Sequence, residues 1–349
     1  MQILSVVGAR PQFVKLAPVA AALNRAGAQH VIVHTGQHYD ERMSQSFFDD
    51  LTIPVPDLNL EVGSAGHAKQ TGQMMERLEP ALAEIRPDWV LTYGDTNSTL
   101  AAAIVAVKLQ LPLAHLEAGL RSFNRAMPEE HNRVLTDHAS DLLLAPTETA
   151  MGHLAAEGLA GRSQLVGDVM ADVCLQVARS GQLELPDGVS AEQPYIMATI
   201  HRAENTDSPE RLRAIVSGLQ SQPVPVVLAA HPRLVSKSAE HGIELSAGAV
   251  RTIAPYRYPQ MVAAVAAAAG VVTDSGGLQK EAYLLGTPCT TVRTETEWVE
   301  LLETGWNTLD PQIQNPQQWL YPAPQNVDTR DLYGDGKAAE RVAAALLET

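Results

Sequence analysis

One turn of small residues and several strand-end carboxylates carry the chemistry legible in this chain. Thr273-Asp274-Ser275-Gly276-Gly277-Leu278-Gln279-Lys280-Glu281-Ala282 follows the apolar run Gly270-Val271-Val272. A strand, a small-residue turn and a helix in that order would offer the N–H groups of Ser275, Gly276 and Gly277, with one hydroxyl, to an anion at a helix N-terminus. Glu281 lies farther along the same helix, within reach of a sugar ring beside a bound phosphate. Gly8-Ala9-Arg10-Pro11-Gln12-Phe13-Val14-Lys15 places two cations, Arg10 and Lys15, close to another helix start. Solvated surface charge is the plainer account of that pair.

The acids come from the first half. Asp95, in Gly94-Asp95-Thr96-Asn97, either caps the next helix or offers a carboxylate to a ligand, and one residue can do both. Glu117, in His115-Leu116-Glu117-Ala118-Gly119-Leu120-Arg121, ends a buried run, where a carboxylate is costly unless partnered or functional. An internal pair with Arg121 is its structural alternative. Glu129 and Glu130 follow Pro128 at a helix start, which is ordinary N-terminal chemistry for at least one of them. His201, in His201-Arg202-Ala203-Glu204-Asn205, closes a later apolar run. Acids and bases grouped in this way suit proton removal from carbon. No His/Cys/Asp spacing suggests a bound metal. The first turn lacks G-x-G-x-x-G, so no dinucleotide cofactor is indicated, and no G-x-S-x-G nucleophile is present.

These residues need rigid elements behind them, and the hydrophobic pattern supplies candidates. Ile3–Val7, Val31–His34, Trp89–Tyr93, Leu113–Glu117 and Leu142–Ala145 read as strands. Leu16–Ala26, Gln70–Ile85, Thr96–Leu109 and Glu129–His138 read as helices between them. The pattern begins again with Tyr195–Ile200, Val224–Ala229, Val250–Ile253, Val271–Thr273 and Pro288–Val292. This βαβα order predicts α/β architecture, with two doubly wound, Rossmann-like domains and an interdomain cleft at the carboxyl ends of the strands. The first domain is expected over 1–166, the second over 167–337, with Ser180–Pro194 as a surface connection. Nearly all the polar clusters follow a predicted strand, where a sheet holds loop residues in place.

The bulk properties narrow the partners. The chain has 349 residues, a net charge of −15 and two cysteines. An acidic field opposes non-specific binding to nucleic acid or to an anionic membrane. Cys174 and Cys289 form no C-x-x-C, which fits a reducing cytoplasm. The first residues show no basic leader, and Met261–Thr273 is too short and Ala-rich for a membrane span.

The ordered set GARPQFVK, YGDTNST, HLEAGLRS, MPEEHNR, ATIHRAEN, TDSGGLQKEA and Tyr333-Gly334-Asp335-Gly336 resembles the non-hydrolysing UDP-N-acetylglucosamine 2-epimerases. The resemblance runs the length of the chain. It implies a GT-B architecture, a homodimer, and no metal or nicotinamide. It also implies a last helix, 338–349, that crosses back to the first domain. The implied reaction eliminates UDP across C1–C2 of the sugar, passes through 2-acetamidoglucal, and returns UDP with the proton on the other face. Asp95, Glu117 and Glu129 match the family's catalytic acids. Arg10, His201, Ser275, Gly276 and Gly277 would hold the diphosphate, Glu281 the ribose, and Lys15 would orient the sugar diphosphate.

Two departures bear on the substrate. Many members carry Thr-Glu-Arg where this chain has Thr296-Glu297-Trp298, and a Thr-Glu-Trp subgroup includes enzymes acting on UDP-diacetamido-uronic acids. Asp40, in Gly36-Gln37-His38-Tyr39-Asp40, leaves open whether an activating UDP-sugar site is retained. A GT-B glycosyltransferase shares the implied architecture and remains the competing class.

Overall fold

The computed structural model of the protein describes residues 1–37, 54–180, 185–186, 189, 192–324 and 332–348. The His38–Asp40 part of the proposed activator loop and most of the 180–194 connection lie outside the described residues. The chain divides into two units. One comprises Met1–Val173 with Asp331–Thr349, and the other Cys174–Arg330.

The first unit is a parallel sheet with helices packed on it. Its strands are β1 (Gln2–Val7), β2 (Gln29–His34), β3 (Leu58–Asn59), β4 (Trp89–Tyr93), β5 (Leu113–Leu116), β6 (Leu142–Ala145) and β7 (Ser163–Leu165). They lie in the order β3-β2-β1-β4-β5-β6-β7. The order reverses between β1 and β4, and loops at such a switch point are where ligands of α/β sheets bind. Central strands such as VLTY and LAHL are buried along their length, which explains their continuous apolar runs. Helices α1 (Arg10–Arg25), α2 (His67–Ile85), α3 (Asn97–Lys108), α4 (Pro128–Ala139), α5 (Glu148–Ala156) and α6 (Val169–Arg179) follow in chain order. In α2 the buried Met74, Leu78 and Leu82 repeat at four-residue spacing, one stripe toward the sheet.

The second unit repeats the plan. Strands β8 (Ile196–Thr199), β9 (Val226–Ala229), β10 (Val250–Ile253), β11 (Gly270–Thr273), β12 (Cys289–Thr291) and β13 (Asn307–Leu309) form a parallel sheet ordered β10-β9-β8-β11-β12-β13. Its helices are α7 (Ala203–Thr206), α8 (Pro209–Gln220), α9 (Pro232–Glu240), α10 (Tyr258–Ala267), α11 (Gly276–Leu284) and α12 (Val299–Glu303). The order again reverses, between β8 and β11, which places His201 and Ser275 on neighbouring loops. Among the described residues no helix is long and apolar enough to cross a membrane.

The last helix, α13 (Ala338–Glu348), belongs to the first unit. Its Val342 and Leu346 share a core with Phe13, Leu16 and Leu23 of α1. Asp172 of α6 fixes its start by accepting the N–H groups of Ala338 at 3.0 Å and Ala339 at 2.7 Å. Burial outweighs those two bonds, and with Asp168 and Asp335 nearby it pushes the Asp172 carboxyl up to about 6. The folded protein therefore binds this proton more tightly than the unfolded chain does. Asp172 contributes stability that is gained as pH falls from about 7 to about 4 and lost again as pH rises through about 6. Between those limits, unfolding free energies of wild type and Asp172→Asn should diverge by on the order of 2 kcal/mol. Urea titrations across the range check this, and parallel profiles would refute it.

Candidate active site

In the first unit the loops after β1, β4 and β5 bring charges of both signs together. Helix α1 starts directly after β1. Gln12 holds that turn by accepting the N–H groups of Gly8 at 2.8 Å and Ala9 at 3.0 Å, and it donates to the Tyr93 carbonyl at 2.8 Å. One turn on, Lys15 points at the end of β5 and pairs with Glu117. Both side chains are almost buried, at 11% exposure each. The side chain of Arg10 lies outside the described residues.

Glu117 does not continue β5. Its φ is 72°, in the left-handed region that side chains other than glycine rarely adopt. Such strain costs of order 1–3 kcal/mol and persists where the surroundings impose it, often at working sites. The conformation turns the carboxylate toward Lys15 and away from Arg121. Arg121 instead binds Asp137 at 2.7 Å and grips Glu157 through two bonds of 2.7 and 2.8 Å. The internal Glu117–Arg121 pair is therefore not formed. Gly94, with φ +60°, passes close by. A Cβ there would lie 3.0 Å from the Glu117 carboxylate and 3.2 Å from the Lys15 ammonium.

Asp95 is not the cap of α3. Thr96 takes that role, accepting from the Thr99 N–H at 3.4 Å. Asp95 instead receives the Arg133 guanidinium, with its Nε at 3.1 Å. Burial works against the Arg133 charge, but Asp95 and Glu130, with Glu117 also near, hold its pKa above the ordinary value. The two glutamates of α4 separate clearly. Glu130 is buried, accepting from the N–H groups of Ser122 and Phe123, both at 2.9 Å, and from Arg133 at 2.8 Å. These contacts overcome its burial and keep its carboxyl below the usual range. Glu129 is exposed at the start of α4, available to a ligand.

In the second unit Ser275 caps α11, its hydroxyl accepting from the Leu278 N–H at 3.4 Å. Gly276 and Gly277 form the first turn, and Glu281 sits partly buried on the same helix. A Cβ on Gly276 would collide with the Glu297 carboxylate, which would have to shift, whereas one on Gly277 would meet nothing closer than 4.0 Å. Arg293 binds Glu297 at 3.0 Å and, with Arg202 near, keeps that carboxyl ionised against its burial. Trp298 is buried, and the Lys280 ammonium lies 4.0 Å from its ring centroid, a cation–π contact.

His201 is half-exposed on the neighbouring loop, with Nδ1 3.1 Å from Asp274. Asp274 is fully buried and accepts the backbone N–H groups of His201 and Arg202 and the Asn205 amide, at 2.9 to 3.1 Å. Asp274, Arg133 and Asp137 were not marked as site residues by the sequence motifs, and Glu130 is the one of the two α4 glutamates with the ordinary structural role. Arg133 could have been found from its spacing, since it lies three and four residues after Glu130 and Glu129 on one helical face. Among the described residues no group of three or more His, Cys, Asp or Glu side chains could hold a metal ion.

Two Rossmann-type parallel sheets, acids at the strand ends of one unit and an amide-lined turn in the other place the chain among the GT-B-like α/β nucleotide-sugar enzymes. It belongs to the UDP-N-acetylglucosamine 2-epimerase family, whose sequence profile matches residues 21–347. A UDP-2,3-diacetamido-2,3-dideoxy-D-glucuronate 2-epimerase of Pseudomonas aeruginosa is 44% identical, with 99% of each chain covered. The UDP-GlcNAc 2-epimerase of Methanocaldococcus jannaschii, solved in complex with UDP-GlcNAc and UDP, is 37% identical over 100% of both chains, with a TM-score of 0.85. That of Neisseria meningitidis, bound to UDP-GlcNAc, gives a TM-score of 0.89 at 27% identity, again over 100% of both chains.

Proposed function

We propose that this chain interconverts UDP-N-acetylglucosamine and UDP-N-acetylmannosamine by anti elimination and re-addition of UDP. The C2 proton is not acidified by a neighbouring carbonyl, so direct exchange would be very slow. Elimination avoids that barrier. A carboxylate takes the C2 proton, the C1–O bond breaks, and UDP leaves with the electron pair to give 2-acetamidoglucal. The reverse addition delivers a proton to the other face of C2 and re-forms the C1–O bond.

The observation that carries this reading is the Glu117 carboxylate, held in strained backbone against Lys15 beside the Asp95–Arg133 pair. Asp95, Glu117 and Glu129 are the candidates for the two proton transfers. Ser275, Gly276 and Gly277, with Arg10 and His201, stabilise the departing diphosphate as its charge grows. Glu281 holds the ribose. The enzyme acts as a cytoplasmic homodimer in this reading.

A second reading of the sugar, a UDP-diacetamido-uronic acid, is favoured by Trp298 and by the name of the 44% identical relative. Proton NMR in D₂O with purified protein tests both. UDP-GlcNAc alone should acquire deuterium at C2 and a manno signal. No turnover without an added acceptor would indicate a glycosyltransferase, and free ManNAc with UDP a hydrolysing enzyme. Turnover confined to the diacetamido-uronate would select the second sugar. Ser275→Ala should weaken UDP binding by about 1.5–3 kcal/mol, the scale of one hydrogen bond to a charged group. Unchanged affinity by calorimetry would contradict the cradle.

A further inference from the structure

Beneath the first unit's carboxylates lies a polar pair that the reaction itself does not use. His115, on β5, and Asp137, on α4, are both completely buried. A histidine in that position must find a partner for each ring nitrogen. Nδ1 meets the Asp137 carboxylate at 2.6 Å, and Nε2 meets the carbonyl of Gly94 at 2.7 Å. Asp137 also accepts the Gly119 N–H at 3.1 Å and Arg121 at 2.7 Å. Burial would raise the Asp137 carboxyl, but His115 and Arg121 overcome it and hold it low, so it stays an acceptor for all of them.

Each contact lands beside a residue assigned to proton transfer. Gly94 precedes Asp95. Glu117 lies between His115 and Gly119, in its strained conformation. Asp137 lies two turns along the helix that begins beside Glu129. We infer that His115 and Asp137 form a positioning pair that sets the three carboxylate-bearing segments relative to one another. The pair touches no substrate in this assignment. It acts through the Gly94 carbonyl and the Gly119 N–H, which add to the backbone bonds that Gly94 makes to Leu116 and that Glu117 and Ala118 make to Leu144. The inference rests on the catalytic assignment of Asp95, Glu117 and Glu129. Displacements of about 1 Å at reacting groups cost on the order of 100-fold in rate, which sets the scale of the effect.

The test separates geometry from stability. His115→Asn keeps a donor near the Nδ1 position and loses the bond to Gly94. His115→Gln keeps the Nε2 position and loses the bond to Asp137. Each should lower kcat at least tenfold, while KM for the UDP-sugar and the affinity for UDP stay within twofold. Leu82→Ala, in the core under α2, serves as the stability control and should retain kcat at a matched fall in melting temperature. Should the His115 variants not fold, Asp137→Asn carries the same expectation. Wild-type kcat in the folded variants, or an equal loss in Leu82→Ala, overturns the positioning role. Glu117→Gln is measured alongside. If it is inactive while the His115 variants are normal, the pair alone is refuted. Full turnover in Glu117→Gln removes the catalytic assignment and the pair's role with it.

Discussion

Glu117→Gln should abolish epimerisation, with kcat falling at least 100-fold and up to about 10⁴-fold, the range lost with one general acid–base group. An amide can neither accept the C2 proton nor return it. The substitution keeps size and shape, so the left-handed backbone at this position costs the variant no more than it costs wild type. It also leaves the Lys15 ammonium facing a neutral amide in a nearly buried setting. UDP affinity should change little, because Ser275, Gly276, Gly277 and His201, four of the five residues proposed to hold the diphosphate, belong to the second unit and none of the five is changed. Solvent deuterium exchange at C2 and manno product formation, both followed by NMR, check the result against an unchanged circular dichroism spectrum. Normal turnover would take Glu117 out of the mechanism.

Asp274→Ala is expected to have the next largest effect, and on two observables. The carboxylate gathers two backbone N–H groups, the Asn205 amide and the His201 ring around one buried point. Removing it leaves several buried donors without an acceptor, each costing about 1–3 kcal/mol before water or relaxation offsets part of the loss. A net destabilisation of about 3 kcal/mol is expected on that basis. The loop carrying His201 and Arg202 then loses its anchor beside Ser275, so UDP affinity should fall at least tenfold. Denaturant unfolding and calorimetry measure the two effects. Wild-type stability in Asp274→Ala would show that the loop is held by other contacts.

Much of the fold was legible from local pattern. The continuous apolar runs at Trp89–Tyr93 and Leu142–Ala145 became central strands with the expected bounds. The short strands Leu58–Asn59, Ser163–Leu165 and Asn307–Leu309 gave no such signal, since they are short and largely polar and the neighbouring strand defines them. The run Leu113–Glu117 lost its last residue because Glu117 leaves the sheet for a left-handed turn. Ser275 stands at the helix N-terminus expected of it, and there its hydroxyl also caps the helix. Asp95 does not cap the next helix, because Thr96 stands one residue nearer and Arg133 claims the carboxylate.

Residue types and their order along the chain were enough to establish a doubly wound α/β protein of the 2-epimerase family. Apolar periodicity and strand-end motifs are local properties, and they survive in one dimension. The choice of partners is not local. Glu117 meets Lys15, 102 residues away, and not Arg121, four residues on. Asp95 meets Arg133, and His201 meets Asp274, 73 residues distant. Packing decided those pairs, because a buried charge is stable only beside the partner that the strands and helices place within hydrogen-bond reach.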